Sequence, residues 1–405
     1  MLDPLTVERI VRVSAAAPIV VALSGGGDSV ALLRLLAAHL GAEKLHALVV
    51  DHALRDGSAD DALRAQAFAT ALGVRADVLT IQRANGVKRG QAAARRARYA
   101  ILSDRARALG AKVIAVAHSA DDQIETLLMR AAAGSSWRGL AGMAAFAPAP
   151  VWPEGRGVWL ARPLLAQRRA ALRAYLRAQG VAWIEDPAND NPAFERVRVR
   201  ARAAMREQGG ANMMLLPQLA GHIRRRADAL DREASALIAG AARFDGPTIA
   251  VDQAAWLAAP GHVRRRVLSV LITAAAGAHH EPGAGVNRIE QMLIDGVVPS
   301  GTLGGALVTR GPDAFRISRD PGALRGRADG LPPLAPLALK SGQPTVWDGR
   351  LELVVTEPGW FVVATPEGAQ LRRDGEHMSL SSLQDGNTAV WLLRQRVAHL
   401  LNEHD

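Results

Sequence analysis

Cysteine is absent from the 405 residues. Disulfides, cysteine-held zinc, iron–sulfur clusters and a thiol nucleophile are therefore excluded. Aromatic residues make up only 4%, too few to favour single-stranded nucleic acid held by base stacking. No apolar run reaches the ~20 residues of a membrane span, so no membrane partner is expected. Met1 to Val20 carries Asp3 and Glu8 among its apolar positions. That matches neither a secretory signal nor an acid-poor transit peptide, and the expected compartment is the cytoplasm. Negative charge is also in deficit, leaving a formal net charge of +10. Such an excess favours a polyanionic partner, nucleic acid ahead of membrane, although an arginine-rich genome would give the same bias. Hydrophobic residues reach 49% and charged ones 22%, enough to build cores in two or three domains.

The first half alternates apolar runs with helical patterns. Strands are expected at Pro18–Leu23, His46–Val50, Ala76–Ile81 and Lys112–Ala117, with another at Val158–Ala161. Between and after them come helices over Val30–Leu40, Ala59–Leu72, Gln91–Leu109, Asp122–Ala133 and Gln167–Gln179. Continuous apolar strands alternating with helices predict an α/β fold, a parallel sheet covered by helices on both faces. The pattern changes near Gln208. Leu219–Ala242 and Val263–Ala276 read as Ala/Leu/Arg-rich helices with no strand between them, and Gly301–Arg319 reads as a hairpin. Leu331–Pro336 reads as a linker, Thr345–Val363 as short strands, and Val390–Asn402 as a closing helix. The expected division is residues 1–208, the α/β domain; 209–325, a mainly helical, basic domain ending in the hairpin; and 326–405, a linker with a small β-rich domain.

The first strand runs straight into Ser24-Gly25-Gly26-Gly27-Asp28-Ser29, and a helix opens at once. Three glycines permit a tight turn and close approach of a ligand. Unpaired amides at a helix start favour phosphate, and Ser24 and Ser29 add hydroxyls. Asp28 would repel phosphate unless a cation stood between them, so Mg²⁺ bridging Asp28 to the phosphates of ATP is expected. Helix capping alone would also place Ser and Asp here. The position at the carboxyl end of a parallel strand, where such sheets bind ligands, favours the phosphate reading. No Gly-Lys-Ser/Thr follows, so this is not a Walker A loop.

Ser-Gly-Gly-X-Asp-Ser is the loop of the PP-loop ATP pyrophosphatases, and the chain resembles that superfamily. Further strings are similar to its tRNA(Ile)-lysidine synthetase family. They are Asp51-His52-Ala53-Leu54-Arg55, Ala94-Arg95-Arg96-Ala97-Arg98-Tyr99, His118-Ser119-Ala120-Asp121-Asp122-Gln123-Ile124-Glu125-Thr126, Arg162-Pro163-Leu164 and Trp183-Ile184-Glu185-Asp186-Pro187-Ala188-Asn189. Ser119 stands where the family carries a second His. Val197, within Phe194-Glu195-Arg196-Val197-Arg198-Val199-Arg200, stands where it carries Asn. The resemblance covers about residues 15–205.

It implies a ligase of two steps: ATP adenylates C2 of the wobble cytidine in the CAU anticodon of tRNA(Ile), and free L-lysine then displaces AMP. On that reading Ser24 to Ser29, Asp51 and His52 hold ATP. Asp122 and Glu125 handle the lysine amine, which is protonated in water. His118 and Asp121 orient groups or stabilise charge, and Asp28 carries the metal. Arg95, Arg98, Arg196 and Arg200 face the nucleotide, the intermediate or the tRNA, while the triplets at Arg224 and Arg264 offer phosphate contacts. Three rivals are weighed: a cysteine-independent tRNA thiolation enzyme of the same superfamily; a small-molecule amidotransferase-type ligase, which would need an ammonia source and no charge of +10; and an RNA-binding module with an inactive ATP site. The oligomeric state is open too, a homodimer included.

Overall fold

The computed structural model describes residues 1–52, 57–81, 91–185, 191–326, 332–365, 368–383 and 386–402. Ala53, Leu54 and Arg55 of the second string, Asp186 to Asn189 of the last one, and Leu331 lie outside the described residues. The chain forms two compact units, 1–227 and 228–405.

The first unit runs α1 (Pro4–Ser14), β1 (Ile19–Ala22), α2 (Gly27–Leu40), β2 (Leu45–Asp51), α3 (Ser58–Thr70), β3 (Arg75–Thr80), α4 (Gln91–Ala108), β4 (Val113–Ala115), α5 (Ala120–Ala132), β5 (Phe146–Pro148), β6 (Trp159–Ala161), α6 (Arg169–Ala178) and α7 (Glu195–Gln208). Helix α8 (Leu215–Ala241) contains the boundary between the units. The six strands form one sheet in the order β3-β2-β1-β4-β6-β5. Every pairing is parallel except that of the edge strand β5 with β6.

Alternate residues of each strand point to opposite faces, and both faces are buried. Ile19, Val21, Ala47, Val113 and Ala161 pack under α1, α2, α3 and α6, against Ile10, Leu32, Leu36, Ala65 and Leu172. Val20, Leu48, Ile114 and Leu160 pack under α4, against Tyr99, Leu102 and Ala106. Two buried faces explain why these strands read as unbroken apolar runs. The strand order reverses direction at β1, between β2 and β4. A crevice opens at the carboxyl ends of the strands there, and it receives the loop after β1 and the His118 segment after β4.

The second unit holds β7 (Ala242–Asp245), β8 (Thr248–Asp252), α9 (Gln253–Ala258), α10 (Gly261–Ala276), α11 (Gly285–Asp295), β9 (Ser300–Leu303), β10 (Ala306–Arg310), β11 (Ala314–Arg319), α12 (Pro321–Arg325), β12 (Leu337–Ala338), β13 (Thr345–Trp347), β14 (Leu351–Val354), β15 (Phe361–Thr365), β16 (Gly368–Arg373), β17 (Glu376–Ser379), β18 (Thr388–Trp391) and α13 (Leu393–Leu401). The hairpin expected at 301–319 is present as β10 and β11, but it belongs to a five-stranded antiparallel sheet, β7-β8-β11-β10-β9. The expectation of no strand between the two long helices is therefore corrected. Strands β7 and β8 turn at Gly246, and Ile249 and Val251 enter a core with Trp256, Leu271 and Phe315. Their apolar run is too short to stand out before its partner strand is known. The closing helix begins at Leu393, and Val390 instead lies in β18.

The structure divides the arginine triplets. Arg266 is buried and bonds Asp231 and Glu281, while Arg264 and Arg265 both bond Glu290. These guanidiniums are taken up by the unit's own structure. Arg224 donates to the Gly142 carbonyl, which leaves Arg225 and Arg226 as the exposed members of the first triplet.

Candidate active site

Ser24 follows β1, and Gly26 caps α2 with extended backbone. Gly25 has φ of +79°, in the region that disfavours a side chain, and a Cβ there would sit 2.5 Å from Ile184 Cδ1. Ile184 also donates its N–H to the Gly25 carbonyl at 2.9 Å. The Trp183–Glu185 segment thus backs the loop, and glycine is required because that backing comes so close. Ser29 donates its hydroxyl to the Gly26 carbonyl at 2.8 Å, accepts from Ser24 N at 3.2 Å, and lies 3.1 Å from Ser24 Oγ. The loop is therefore braced from within; Ser29 and Val30 already donate their N–H groups to the Gly26 carbonyl at 3.0 Å, and the N–H groups of Gly27 and Asp28 ahead of them have no acceptor inside the helix. Asp51 is buried at the carboxyl end of β2, the neighbour of β1, with His52 next to it.

Asp28 sits in the first turn of α2. Its Oδ2 accepts from Arg169 Nε at 3.0 Å, and its Oδ1 is buried without a partner. Burial raises its pKa, and Arg169 partly offsets the shift. Arg169 opens α6 and reaches two further acids: Nη2 lies 3.2 Å from Asp122 Oδ1 and Nη1 lies 3.5 Å from Glu125 Oε1. Arg196 bonds Glu125 at 2.7 Å and Asp122 at 3.2 Å, and Arg200 bonds Glu125 at 2.7 Å. Asp28, Asp122 and Glu125 thus meet Arg169, Arg196 and Arg200 in one charge-balanced network. Arg196 and Arg200 share a face of α7, which buries none of its own residues; these ion pairs to α5 help to hold it.

The two neighbouring acids do different work. Asp122 accepts from Ser119 N at 2.8 Å and Ser119 Oγ at 2.9 Å, closing a capping box at the start of α5. Ser119, the departure from the family's His, therefore caps the helix. Asp121 turns toward α6, where it accepts the Arg169 backbone N–H at 2.7 Å and Arg168 Nε at 3.2 Å. It caps α6 from a neighbouring helix and so aims Arg169.

His118 accepts from Arg162 Nε at Nδ1, 3.2 Å away, which leaves the proton on Nε2. Burial, then the charges of Arg162 and Arg95, hold its pKa well below 6.5. Burial also pushes Arg162 down to about 10, still cationic at neutral pH. The histidine binds fewer protons in the folded state than in the unfolded chain. Its contribution to stability is therefore present above pH 6.5 and is lost as pH falls toward the folded pKa. Replacing His118 with Asn keeps an acceptor for Arg162 and removes the titration. The variant should lose less stability than wild type between pH 6.5 and 5.5, by at most ~1.4 kcal/mol; urea denaturation at the two pH values measures the difference.

Arg95 and Arg98 lie on α4 with their guanidiniums 5.0 and 5.2 Å from the centre of the Tyr99 ring. Both add positive charge around His118. The acids, His118, Arg196 and Arg200 singled out from sequence thus meet around one crevice. Arg168 and Arg169 did not stand out, since arginine runs usually mark solvated helix faces. The spacing of Arg169 from the Arg162-Pro163-Leu164 string was the only available signal. Among the described residues no three His, Asp or Glu side chains gather to hold a metal alone. A single buried carboxylate oxygen does suit Mg²⁺, which takes most of its ligands from phosphate and water.

A family model described as the PP-loop domain matches residues 5–207. The chain is 39% identical over 300 residues to the tRNA(Ile)-lysidine synthase of Hyphomonas neptunium, covering 72% of this chain and 78% of that protein. It is 37% identical over 374 residues to that of Rhizobium meliloti, covering 86% and 76%. With that of Mesorhizobium japonicum it shares 35% identity over 391 residues, covering 94% and 80%.

Proposed function

Because the chain belongs to the tRNA(Ile)-lysidine synthase family, we propose a division of labour among its residues for the ATP-dependent ligation that forms a C–N bond on tRNA(Ile). The triphosphate lies on the amides of Gly25 to Asp28, beside the Ser24 and Ser29 hydroxyls, and on the positive end of α2. Asp51 and His52 border the adenosine. Asp28, with one buried oxygen unpaired, would hold Mg²⁺, which when bound offsets the charge of the phosphates. Arg95 and Arg98 offset charge on the nucleotide or the tRNA backbone, and the exposed Arg225 and Arg226 add phosphate contacts.

In the first step O2 of the wobble cytidine attacks the α-phosphorus; a C2–O–P linkage forms and pyrophosphate leaves. In the second, the ε-amine of lysine attacks C2, and AMP departs with the oxygen. An amine attacks only as the free base, yet free lysine is protonated at neutral pH. Asp122 and Glu125 receive the ammonium and take its proton. The guanidiniums of Arg196 and Arg200 beside them disfavour a further cation and so favour the neutral amine. His118, kept neutral, orients Arg162 without adding charge. The reaction belongs to the cytoplasm on this reading, where its tRNA is found. Among the described residues no helix is long and apolar enough to cross a membrane.

The observation that supports the reading best is the continuous network from the loop carboxylate Asp28 to the acids Asp122 and Glu125. On this reading the phosphate site and the amine site lie within one side chain's reach. The test is AMP release with ATP, L-lysine and CAU-anticodon tRNA, each omitted in turn. AMP should form only with both lysine and tRNA present. AMP formed without lysine but dependent on a sulfur donor would replace this reading with thiolation, and no AMP under any combination would replace it with an inactive ATP site.

A further inference from the structure

We propose that Arg169 is a positioning residue that couples the nucleotide site to the lysine site, so that lysine binds weakly until pyrophosphate has left. The inference rests on the function argued above but goes beyond it. A single guanidinium is divided among three carboxylates: Asp28 at 3.0 Å, Asp122 at 3.2 Å and Glu125 at 3.5 Å. Its five N–H groups form a rigid fork, which permits such sharing. The side chain is aimed from a fixed base, because Asp121 accepts the Arg169 backbone N–H at 2.7 Å and the neighbouring Arg168 is tied to Asp121 and Glu207. Arg169 itself is only 20% exposed on its side chain, so its charge acts through a medium that screens less than water.

Sharing makes the sites interdependent. When Asp28 serves the triphosphate and the positive charge that comes with it, a second cation on the same carboxylate is repelled. Arg169 then rests wholly on Asp122 and Glu125. Those acids, already paired with Arg196 and Arg200, meet the lysine ammonium with less net negative charge. When pyrophosphate leaves, Asp28 again draws Arg169, and the acids open toward the amine. The consequence is an order: activation of the base first, capture of the nucleophile second. Coupling of this kind is reciprocal, so lysine must weaken the nucleotide by the same factor.

Calorimetric titration of L-lysine into the full-length protein tests this, with and without Mg²⁺ and α,β-methylene-ATP. For wild type, the nucleotide should weaken lysine binding about 10-fold or more, within the usual range for coupled sites. In Arg169→Gln the ratio should fall below about 2-fold with both ligands still bound, because the shared cation is gone. Arg169→Lys should also show a reduced ratio, since an ammonium is a compact point charge and cannot fork among three carboxylates. If Arg169→Gln does not fold, Arg169→Lys decides. A wild-type ratio near one, or either folded variant keeping the wild-type ratio, overturns the coupling. Wild type that binds neither lysine nor the nucleotide overturns the functional reading instead, so the two failures are distinct.

Discussion

Asp28→Asn lowers tRNA-dependent pyrophosphate release about 1,000-fold, equivalent to ~4 kcal/mol of transition-state stabilisation, while the protein stays folded. The reason lies in which bonds the substitution removes. Asn has the shape of Asp, so the first turn of α2 and the Ser24–Ser29 brace are untouched. Arg169 keeps Asp122 and Glu125 as partners. The buried Oδ1 has no hydrogen-bond partner and so no structural duty, and the charge on it is what the triphosphate site loses. Pyrophosphate release at saturating ATP and tRNA, read alongside a thermal melt, checks this. An unchanged rate would remove Asp28 from the phosphate site and leave the glycine loop as a capped turn.

Glu125→Gln should separate the two steps. Lysine incorporation falls 100- to 10,000-fold, the usual range for losing a proton acceptor, whereas pyrophosphate release stays within roughly 10-fold of wild type because the phosphate loop is unaltered. Glu125 is 1% exposed and accepts from Arg196 and Arg200 at 2.7 Å each. An amide can still accept one of these bonds but carries no charge to balance either cation. Some loosening of α7 follows, since that helix buries no residue of its own. Labelled lysine on tRNA and pyrophosphate, measured in the same reactions, give the answer. A parallel fall of both would mean that Glu125 serves only to hold α7, and the amine would then be assigned to Asp122.

The sequence alone determined the N-terminal fold. Strand identity rested on apolar runs such as Val20 to Leu23 and Val113 to Val116, which only a sheet buried on both faces requires. It also determined the glycine loop, because a triple glycine between a strand and a helix records a tight turn that another group approaches closely, at Gly25 the Ile184 side chain. Asp122, Glu125, Arg196 and Arg200 could be singled out because each lay in a string similar to a known family.

Pairing across distance was decided only by tertiary structure. Asp121 and Asp122 are adjacent and alike in sequence, yet one caps α6 and the other joins the charge network, because successive residues on a helix face about 100° apart. Arg169 looked like any residue of an arginine-rich stretch until α6 brought it to Asp28, 141 positions away. Arg266 looked like a phosphate contact until folding buried it between Asp231 and Glu281. Short strands such as β7 and β8 were likewise invisible before their partners closed over them. An apolar run records burial, and a glycine run records backbone shape, in the local chain. A charge records nothing of its partner, since that partner is supplied by whichever distant segment the fold brings near.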